Sequence, residues 1–461
     1  MAKKRNVLKG RLNERDLLLS SLKSPDEGLE IIGVSGYGGV GKTYLVRHVL
    51  EELEPEKSGS LVIWVDGGAK DLNGDFMRLV NESLAPLQLK GVPDSSGHDF
   101  FPRTRKLKKA HDIQVERVIR KIEKTLEQRK QEASAQTEKI VGMLLKLGVI
   151  FNTPVQPFAL ALAAMATDKL AGEAAALIVE AADEPSRLPG ILQDWFGITY
   201  DRKIRTQLFN LTAEELTGDL TAILSGYGKK DILKLTHNKL QGFDRLLLVI
   251  DDFEIINQTI LPFLLNSFLP SLKSAAFSSK VLIIGRDNLE FVDPGFSKDF
   301  GRNLTPSIRL EPFPPDEAVQ FLLDADYSKT EAQELVRQFE GYPFLLVSLA
   351  EMKDRSALFY QHFFERTTRW MTDDEKRWFL SLCYLDVVNE TSIAGMIEGA
   401  ELRTICDWFA HEASIRDNKA SHFVVNPFIR KMVLQHHQNL IGKREQSKLQ
   451  ERGKISVSEA E

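Results

Sequence analysis

The stretch Gly36-Tyr37-Gly38-Gly39-Val40-Gly41-Lys42-Thr43 decides the fold class of this 461-residue chain. It fits the pattern G-x-x-x-x-G-K-[ST], follows the apolar run Leu29 to Val34 and opens an amphipathic segment. Glycines let successive backbone N–H groups curl around phosphate oxygens, and the helix that follows adds a favourable dipole. A glycine-rich turn with a chance Lys-Thr is the alternative, but it does not account for the strand before the loop and the helix after it.

The loop predicts a bound nucleotide, ATP or ADP, with Mg²⁺. The Lys42 ammonium can bridge the β- and γ-phosphates, and the Thr43 hydroxyl can ligate the metal ion. The predicted nucleotide-binding residues of the loop are Gly36, Gly38, Gly39, Val40, Gly41, Lys42, Thr43 and Tyr44.

Four further apolar runs predict strands. They are Leu61 to Val65, Leu246 to Ile250, Val281 to Ile284 and Ile308 to Leu310. All are short and lack polar alternation, which is typical of parallel strands covered on both faces. We therefore expect an α/β fold, a P-loop NTPase parallel sheet flanked by helices.

Acidic residues follow the run Leu246 to Ile250, at the strand end where open α/β sheets bind ligands. Asp251 is the predicted Mg²⁺ ligand, directly or through water. Asp252 or Glu254 is predicted to orient or deprotonate an attacking water. The simpler alternative is a strand followed by a helix cap.

Arg286 follows the run Val281 to Ile284. A cation at this strand end could sense the γ-phosphate, which makes Arg286 a candidate catalytic residue. An exposed loop arginine paired with Asp287 is the other interpretation, and the sequence leaves both open.

Composition limits the class of protein. Hydrophobic residues make up 43% of the chain and charged residues 27%, with a formal net charge of −5. This balance argues against a generally basic nucleic-acid binder. Two cysteines form neither a disulfide framework nor a zinc motif, and no apolar segment follows the charged N-terminus. We expect a cytoplasmic protein.

The connection between the second and third strands is about 180 residues long, far more than a crossover needs. We therefore predict a core of residues 1–96 and 187–312 with a helical insertion at 97–186. The stretch Leu147 to Thr167 carries no charge and is interrupted by Pro154 and Pro157. This predicts a helical hairpin with arms Lys139–Phe151 and Phe158–Ala182. The hairpin would dock on the core or another subunit, or insert into a membrane, which would place the activated protein on membranes.

The C-terminal third is predicted to be mostly helical. Thr372-Asp373-Asp374-Glu375 is a capping box that opens a helix, and a hairpin-like stretch at 413–425 precedes a helix from Pro427. The polar tail at 441–461 is predicted to be disordered.

Five short motifs of the sequence resemble those of the signal-transducing ATPases with numerous domains (STAND), in particular the NB-ARC-like branch. They are Gly10-Arg11, Gly38 to Thr43, Asp251-Asp252, Arg286 and Gly341-Tyr342-Pro343. The resemblance implies that Gly10 and Arg11 lie near the adenine. It also implies that Pro343 packs against the adenine from a helical lid, residues 313–358.

The elements of 359–440 are similar to the winged-helix domain of that family. Family members have a His at the start of the last helix, which contacts the ADP phosphate and locks the closed state. Here Asn426 stands at that place, so it is the candidate for this contact. Asn426 can donate one hydrogen bond but carries no charge.

The resemblance implies a nucleotide-controlled switch. ADP would hold the lid and the winged helix, and ATP would release them for self-association into a homo-oligomer. Hydrolysis would be slow, and an unidentified protein or ligand would be the trigger.

Two other functions stay open. One is a DNA-acting ATPase of the origin-recognition type, which is disfavoured because Glu401 to Glu412 has one arginine against three acidic residues. The stretch 103–130, with eleven Lys and Arg against four acidic residues, is its other candidate nucleic-acid surface. The second is a membrane-acting effector through the insertion 97–186.

Overall fold

A computed structural model describes most of the chain outside the long insertion. The described residues are 11–24, 28–55, 59–68, 76–85, 99–113, 202–224, 243–352, 357–369, 371–397, 402–412, 415–417 and 420–458. Gly10 and the predicted hairpin, Lys139–Phe151 and Phe158–Ala182, lie outside them.

A five-stranded sheet forms where the apolar runs predict strands. Its members are β1 Leu29–Gly36, β2 Ser60–Asp66, β3 Arg245–Asp251, β4 Ser278–Ile284 and β5 Ile308–Leu310. The order is β2-β3-β4-β1-β5, with β2 parallel to β3 and β1 parallel to β5. All five predicted strands are confirmed, because each run is mostly apolar and is buried along most of its length.

The other regular elements of the described structure are helices, joined by loops and turns. In the first part of the chain they are α1 Leu12–Lys23, α2 Lys42–Leu53, α3 Phe76–Leu79, α4 102–113, α5 Arg202–Leu224, α6 Phe253–Phe263 and α7 Leu269–Lys273. After β4 come α8 Leu289–Val292, α9 Gly295–Phe300, α10 Pro315–Leu323, α11 Lys329–Phe339, α12 Pro343–Met352, α13 Ala357–Thr368, α14 Asp373–Leu382, α15 Glu390–Met396, α16 Leu402–His411, α17 Pro427–Ile441 and α18 Lys443–Ser458. Single π-helical turns, Val80–Leu84 and Leu264–Phe268, follow α3 and α6.

The chain divides into two compact units. Unit 1 contains Met1–Ser24, Ile32–Leu53 and Ile283–Glu461; unit 2 contains Pro25–Ile31 and Glu54–Leu282. The phosphate loop and all of the C-terminal helices therefore belong to unit 1. The strands β2 and β3 belong to unit 2.

Unit 2 has an aromatic core between α3, α5 and α6. The ring of Phe76 lies 4.6 Å from that of Phe209 and 4.7 Å from that of Phe263, and Phe263 stacks on Phe268 at 5.4 Å. Edge and offset contacts of this kind stabilise beyond the area they bury. The long helix α5 is therefore part of the core of unit 2.

The segment 99–113, at the start of the predicted insertion 97–186, is held against α5. Phe101 is fully buried. The buried Asp219 of α5 accepts hydrogen bonds from the Thr104 amide at 2.9 Å and from the Thr104 hydroxyl at 2.8 Å. Asp219 thus caps α4 from another helix. Composition could not show this, since the cap is 115 residues away in the sequence.

The basic residues of α4 are partly neutralised. Lys108 pairs with Asp112 at 2.6 Å, and Arg105 pairs with Asp99 at 2.9 Å. The described part of the stretch 103–130 is therefore a weaker nucleic-acid surface than its count of cations suggests.

The predicted border between lid and winged helix, at 358/359, lies in the first turn of α13. Phe359 packs on Phe339 of α11 with ring centroids 5.2 Å apart. Phe363, one turn later, packs on Phe428 of α17 at 6.1 Å. The helix α13 thus contacts both regions, and an apolar pattern alone cannot assign it to one.

The predicted elements of the winged-helix region form. Thr372 and Glu375 make the expected capping box at α14. Arg416 and Val425 form an antiparallel bridge within the hairpin-like stretch, and α17 begins at Pro427. Local patterns were sufficient here, because caps and tight hairpins depend on residues close in sequence.

The prediction of a disordered tail is wrong over Lys443–Ser458, which forms α18. Gln446 is buried and donates to the Leu434 carbonyl at 2.7 Å, and Arg452 donates to the Gly395 carbonyl at 2.6 Å. Gly453 lies directly against the Tyr384 carbonyl. The helix is held by polar contacts and close backbone approach, so its low hydrophobicity misled the prediction.

No helix within the described residues is long and apolar enough to cross a membrane.

Candidate functional site

The phosphate loop joins β1 to α2 in a conformation that requires glycine. Gly36, Gly39 and Gly41 have φ values of +142°, +85° and +96°, which L-residues rarely adopt. The amide of Leu45 then bonds the Gly41 carbonyl at 2.9 Å and starts the helix. Turns with positive φ direct successive amides to one side, which suits an anion.

Lys42 lies over the loop that precedes it. Its Nζ donates to the carbonyls of Gly36 at 2.7 Å and of Tyr37 at 3.1 Å. The ammonium therefore sits on the loop, where the predicted phosphate contact requires it. Thr43 follows in the first turn of α2.

Arg286 contacts the loop from the end of β4. Its carbonyl accepts from the Gly36 amide at 3.1 Å, and a Cβ on Gly38 would lie 3.0 Å from its Nη2. Only 8% of Arg286 is exposed, which contradicts the alternative of an exposed loop arginine. The structure thus brings the predicted sensor to the loop.

Arg11 is buried and reaches the same loop from the start of α1. Its guanidinium donates to the Val40 carbonyl at 3.2 Å, to the Glu311 carbonyl, and to the Glu14 carboxylate at 3.0 Å. It also lies over the Phe313 ring, 5.0 Å from the centroid. Its Nε is buried and finds no acceptor among the described residues. One donor at this position is left for a ligand acceptor.

The lid contacts the loop through the residue after Pro343. The amide of Phe344 donates to the Gly39 carbonyl at 3.1 Å, and a Cβ on Gly39 would lie 2.9 Å from the Phe344 Cβ. Pro343 is buried at the first position of α12. Its contact with adenine stays a prediction.

The winged-helix region contacts the loop through Asn426. The Asn426 Oδ1 caps α17 by accepting from the amides of Phe428 at 3.1 Å and Ile429 at 3.2 Å. The Asn426 side chain also lies near the Tyr37 hydroxyl. Burial raises the pKa of Tyr37, against lowering contributions from Arg309 and from Asn426, so the hydroxyl stays neutral. The predicted partner of Asn426 is a phosphate, and the structure adds Tyr37 as a close neighbour.

The acidic strand end lies in unit 2. The side chain of the buried Asp251 accepts from the Asp252 amide at 2.9 Å, and its carbonyl accepts from the Gly67 amide at 3.0 Å. Asp66 of β2 is in register with Asp251. Asp252 has a left-handed backbone at the start of α6 and does not cap it with its side chain. This excludes the cap alternative for the Asp252 side chain and leaves its carboxylate to other partners.

The remaining predicted residues are less defined. Glu254 lies in the first turn of α6. Tyr44 is half exposed, and its ring stacks on His48 with centroids 6.4 Å apart. Their predicted roles rest on the sequence.

Sequence reasoning missed four residues near these groups: Tyr37, Asp66, Phe344 and Arg366. Asp66 could have been found, since it ends a strand predicted to lie beside β3. Tyr37 occupies a variable position of the loop motif. Phe344 and Arg366 carry no local pattern and reach the loop only through the packing of α12 and α13.

The donor set fits a nucleotide and Mg²⁺. The loop offers backbone amides and the Lys42 and Arg286 cations to phosphate, and the Arg11 Nε is one donor in surplus. Oxygen donors are the ligands that Mg²⁺ prefers. The predicted donor in unit 1 is the Thr43 hydroxyl, and the predicted donor in unit 2 is the Asp251 carboxylate. Within the described residues there is no group of three or more His, Cys, Asp or Glu able to hold a metal ion.

No family model and no curated protein matches the chain. Solved structures that resemble it include a Walker-type ATPase of Pyrococcus abyssi, with TM-score 0.45, 12% identity, and coverage of 92% of this chain and 96% of that one. Cdc6p from Pyrobaculum aerophilum has TM-score 0.31, 13% identity, and coverage of 99% and 96%. A STAND protein with a tetratricopeptide repeat sensor from Pyrococcus horikoshii has TM-score 0.20 and 16% identity. In that comparison 56% of this chain is covered, but only 40% of the other.

With every TM-score below 0.5, any functional assignment rests on the residues of the chain itself. The sheet and the phosphate loop make this an α/β P-loop NTPase fold, as predicted. Membership of the NB-ARC-like branch stays a prediction.

Proposed function

We propose that this chain is an ATP/ADP-binding signalling switch that hydrolyses ATP slowly. The supporting observation is the hydrogen bond from the Phe344 amide to the Gly39 carbonyl, 3.1 Å long. It joins the lid to the backbone of the loop that would hold the phosphates. A nucleotide that changes the loop therefore acts on the lid through a single peptide unit.

A second contact supports the same proposal. The side chain of Asn426, the N-cap of α17, lies near Tyr37 of the loop. Two separate C-terminal elements thus reach adjacent parts of the loop. ADP would keep these contacts, and exchange for ATP would release them and permit assembly into a homo-oligomer. A protein or ligand trigger would promote the exchange.

The proposal sets an energetic requirement. A ligand shifts a two-state equilibrium only by its difference in affinity for the two states. Changing the ratio from 1:99 to 99:1 requires a difference of about 10⁴-fold. ATP and ADP must therefore differ strongly in how they interact with the contacts at Gly39 and Tyr37.

The residue roles follow the chemistry of each group. Lys42 would hold the β- and γ-phosphates, and the loop amides the remaining oxygens. Thr43 and Asp251 would hold Mg²⁺, whose charge supports phosphoryl transfer. Asp252 or Glu254 would orient the attacking water, and Arg286 would stabilise charge on the γ-phosphate. Gly10, Arg11 and Pro343 would receive the adenine.

The decisive experiment measures the molar mass of the full chain by light scattering. It is done with Mg²⁺ and either ADP or a non-hydrolysable ATP analogue. We expect a monomer with ADP and a larger assembly with the analogue. Lys42→Ala should stay a monomer in both, with nucleotide affinity reduced about 10- to 100-fold by the lost charged hydrogen bonds. Arg47→Ala, an exposed cation on the same helix, is the matched control.

Equal masses with both nucleotides would overturn the switch while leaving nucleotide binding intact. Repeating the measurement with lipid vesicles tests a membrane-bound assembly. Asp251→Asn should bind nucleotide but lose Mg²⁺-dependent phosphate release. Full hydrolysis by that variant would assign the metal to another carboxylate.

A further inference from the structure

Arg366, near the C-terminal end of α13, lies beside the phosphate loop. Its guanidinium carbon is 4.8 Å from the centroid of the Phe344 ring. Its Nε is 3.7 Å from the point where a Cβ of Gly39 would stand, and the Phe344 Cβ is 2.9 Å from the same point. Phe344 is therefore the platform that places this arginine at Gly39.

Three cations from three elements approach consecutive parts of the loop. Lys42 lies on the carbonyls of Gly36 and Tyr37, Arg286 borders Gly38, and Arg366 borders Gly39. Lys42 comes from the loop itself, Arg286 follows β4 and Arg366 is on α13. A triphosphate carries about four negative charges, more than one lysine can balance.

We propose that Arg366 binds the terminal phosphate of the nucleotide held by the loop, and so makes the position of α13 depend on phosphate number. The proposal rests on the proposed nucleotide-binding function and deepens it. A guanidinium is suited to this task, because its planar donors match phosphate oxygens two at a time and it stays charged at any working pH. Arg366 is exposed at its present position, so a ligand can reach its guanidinium from solvent.

The consequence for the switch follows from the neighbours of Arg366 on α13. Phe363, one turn earlier, packs on Tyr342 of the lid at 6.2 Å and on Phe428 of α17 at 6.1 Å. Movement of Arg366 toward a γ-phosphate would shift α13 and disturb both aromatic contacts. ATP would then weaken the packing that ADP leaves in place.

The test is a binding series on the full chain with Mg²⁺, using a non-hydrolysable ATP analogue, ADP and adenosine. Arg366→Gln should raise the Kd of the ATP analogue about tenfold or more, as expected for a lost charge-assisted hydrogen bond. The Kd of ADP should change less, and that of adenosine not at all. Arg377→Gln, which removes an exposed arginine paired with Asp374 on α14, should leave all three unchanged.

A purely structural role on the Phe344 ring predicts a different pattern. Equal losses for all three ligands, or no loss at all, would overturn the proposal. Arg366→Lys keeps the charge but not the paired donors, so its ATP-analogue affinity should lie between wild type and Arg366→Gln. If Arg366→Gln does not fold, Arg366→Lys decides by the same phosphate-number dependence.

The proposed function can survive failure of this inference. Nucleotide binding that needs Lys42 but is indifferent to Arg366 would refute only the role of Arg366. A wild-type chain that binds neither ATP nor ADP would overturn both.

Discussion

Phe313 and Gly341 are joined through their backbones: the Phe313 amide donates a 2.9 Å hydrogen bond to the Gly341 carbonyl. Gly341 has a φ of +69°, and a Cβ built on it would overlap the carbonyl oxygen of Phe313. Conformation and space both exclude a side chain at the entry to α12. The first position of the Gly-Tyr-Pro motif is therefore fixed by packing as well as by any contact with nucleotide.

We expect Gly341→Ala to destabilise the protein more than Gly28→Ala. Gly28 also has a positive φ, +76°, but nothing lies within 4 Å of its would-be Cβ. The left-handed backbone costs an L-residue about 1–2 kcal/mol at either position. The overlap at Gly341 should add about 1–3 kcal/mol. Urea unfolding of the two variants measures the difference, and equal midpoints would show that the Phe313 contact is unimportant.

We expect Asp219→Asn to leave the protein stable and Asp219→Ala to destabilise it. Burial raises the pKa of Asp219 against the lowering effect of the Thr104 hydrogen bonds, so the folded state holds a proton more tightly than the unfolded state. This contribution favours folding at low pH and is lost as pH rises through the folded pKa. Asp219→Asn keeps an acceptor for Thr104 without a buried charge, so at pH 7 it should be neutral or stabilising. Asp219→Ala should cost about 1–3 kcal/mol. Denaturant unfolding at pH 7 checks this; an equal cost for Asn and Ala would mean that the charge itself is required.

The histidines of α17 should make the protein acid-sensitive. His436 stacks on Phe364 at 4.8 Å, and the His437 Nδ1 lies 2.7 Å from the Tyr384 hydroxyl, whose pKa burial raises to about 12. Burial lowers the pKa of both histidines; Glu365 opposes the shift at His436, and His436 adds to it at His437.

The unfolded state therefore binds more protons, and stability is lost as pH falls through the ordinary histidine pKa of about 6.5. Melting temperatures should drop between pH 7.5 and 5.5, and His436→Gln should flatten the slope. His422→Gln, at an exposed position, should not. The histidine variants should be measured in the Asp219→Asn background, because the titration of Asp219 changes stability with pH in the opposite direction. An unchanged slope in His436→Gln would contradict the assignment.

At Gly453 of α18 we expect a Gly→Ala substitution to have the opposite effect on stability from its usual one. Gly→Ala inside an exposed helix normally stabilises by about 1 kcal/mol. At Gly453 the new Cβ would overlap the Tyr384 carbonyl, so Gly453→Ala should destabilise the docking of α18. Ser447→Ala, on an exposed position of the same helix, is the control. Limited proteolysis should cut Gly453→Ala faster after Gly442 than wild type. Slower cleavage would mean that α18 does not rest on Tyr384.

Local sequence patterns predicted the features that depend on residues close together in the sequence. The five strands, the capping box of Thr372 and Glu375, and the glycines of the phosphate loop depend on residues within one turn or one run. The tail was mispredicted because α18 is held by Gly453 and Gln446 against distant carbonyls, not by an apolar stripe. The contact between 99–113 and α5 could not be predicted, because the acceptor of the Thr104 amide lies 115 residues away in the sequence.

The sequence by itself determined the α/β P-loop NTPase fold and the phosphate loop, because the motif, its strand and its helix are contiguous. Only the tertiary structure decided which side chains reach that loop from elsewhere. Arg286 is buried beside Gly38, Phe344 bonds Gly39, and Arg366 lies over Phe344. Such contacts depend on how α12 and α13 pack, and packing is a property of shape and volume between elements distant in sequence. No periodicity in the chain encodes it.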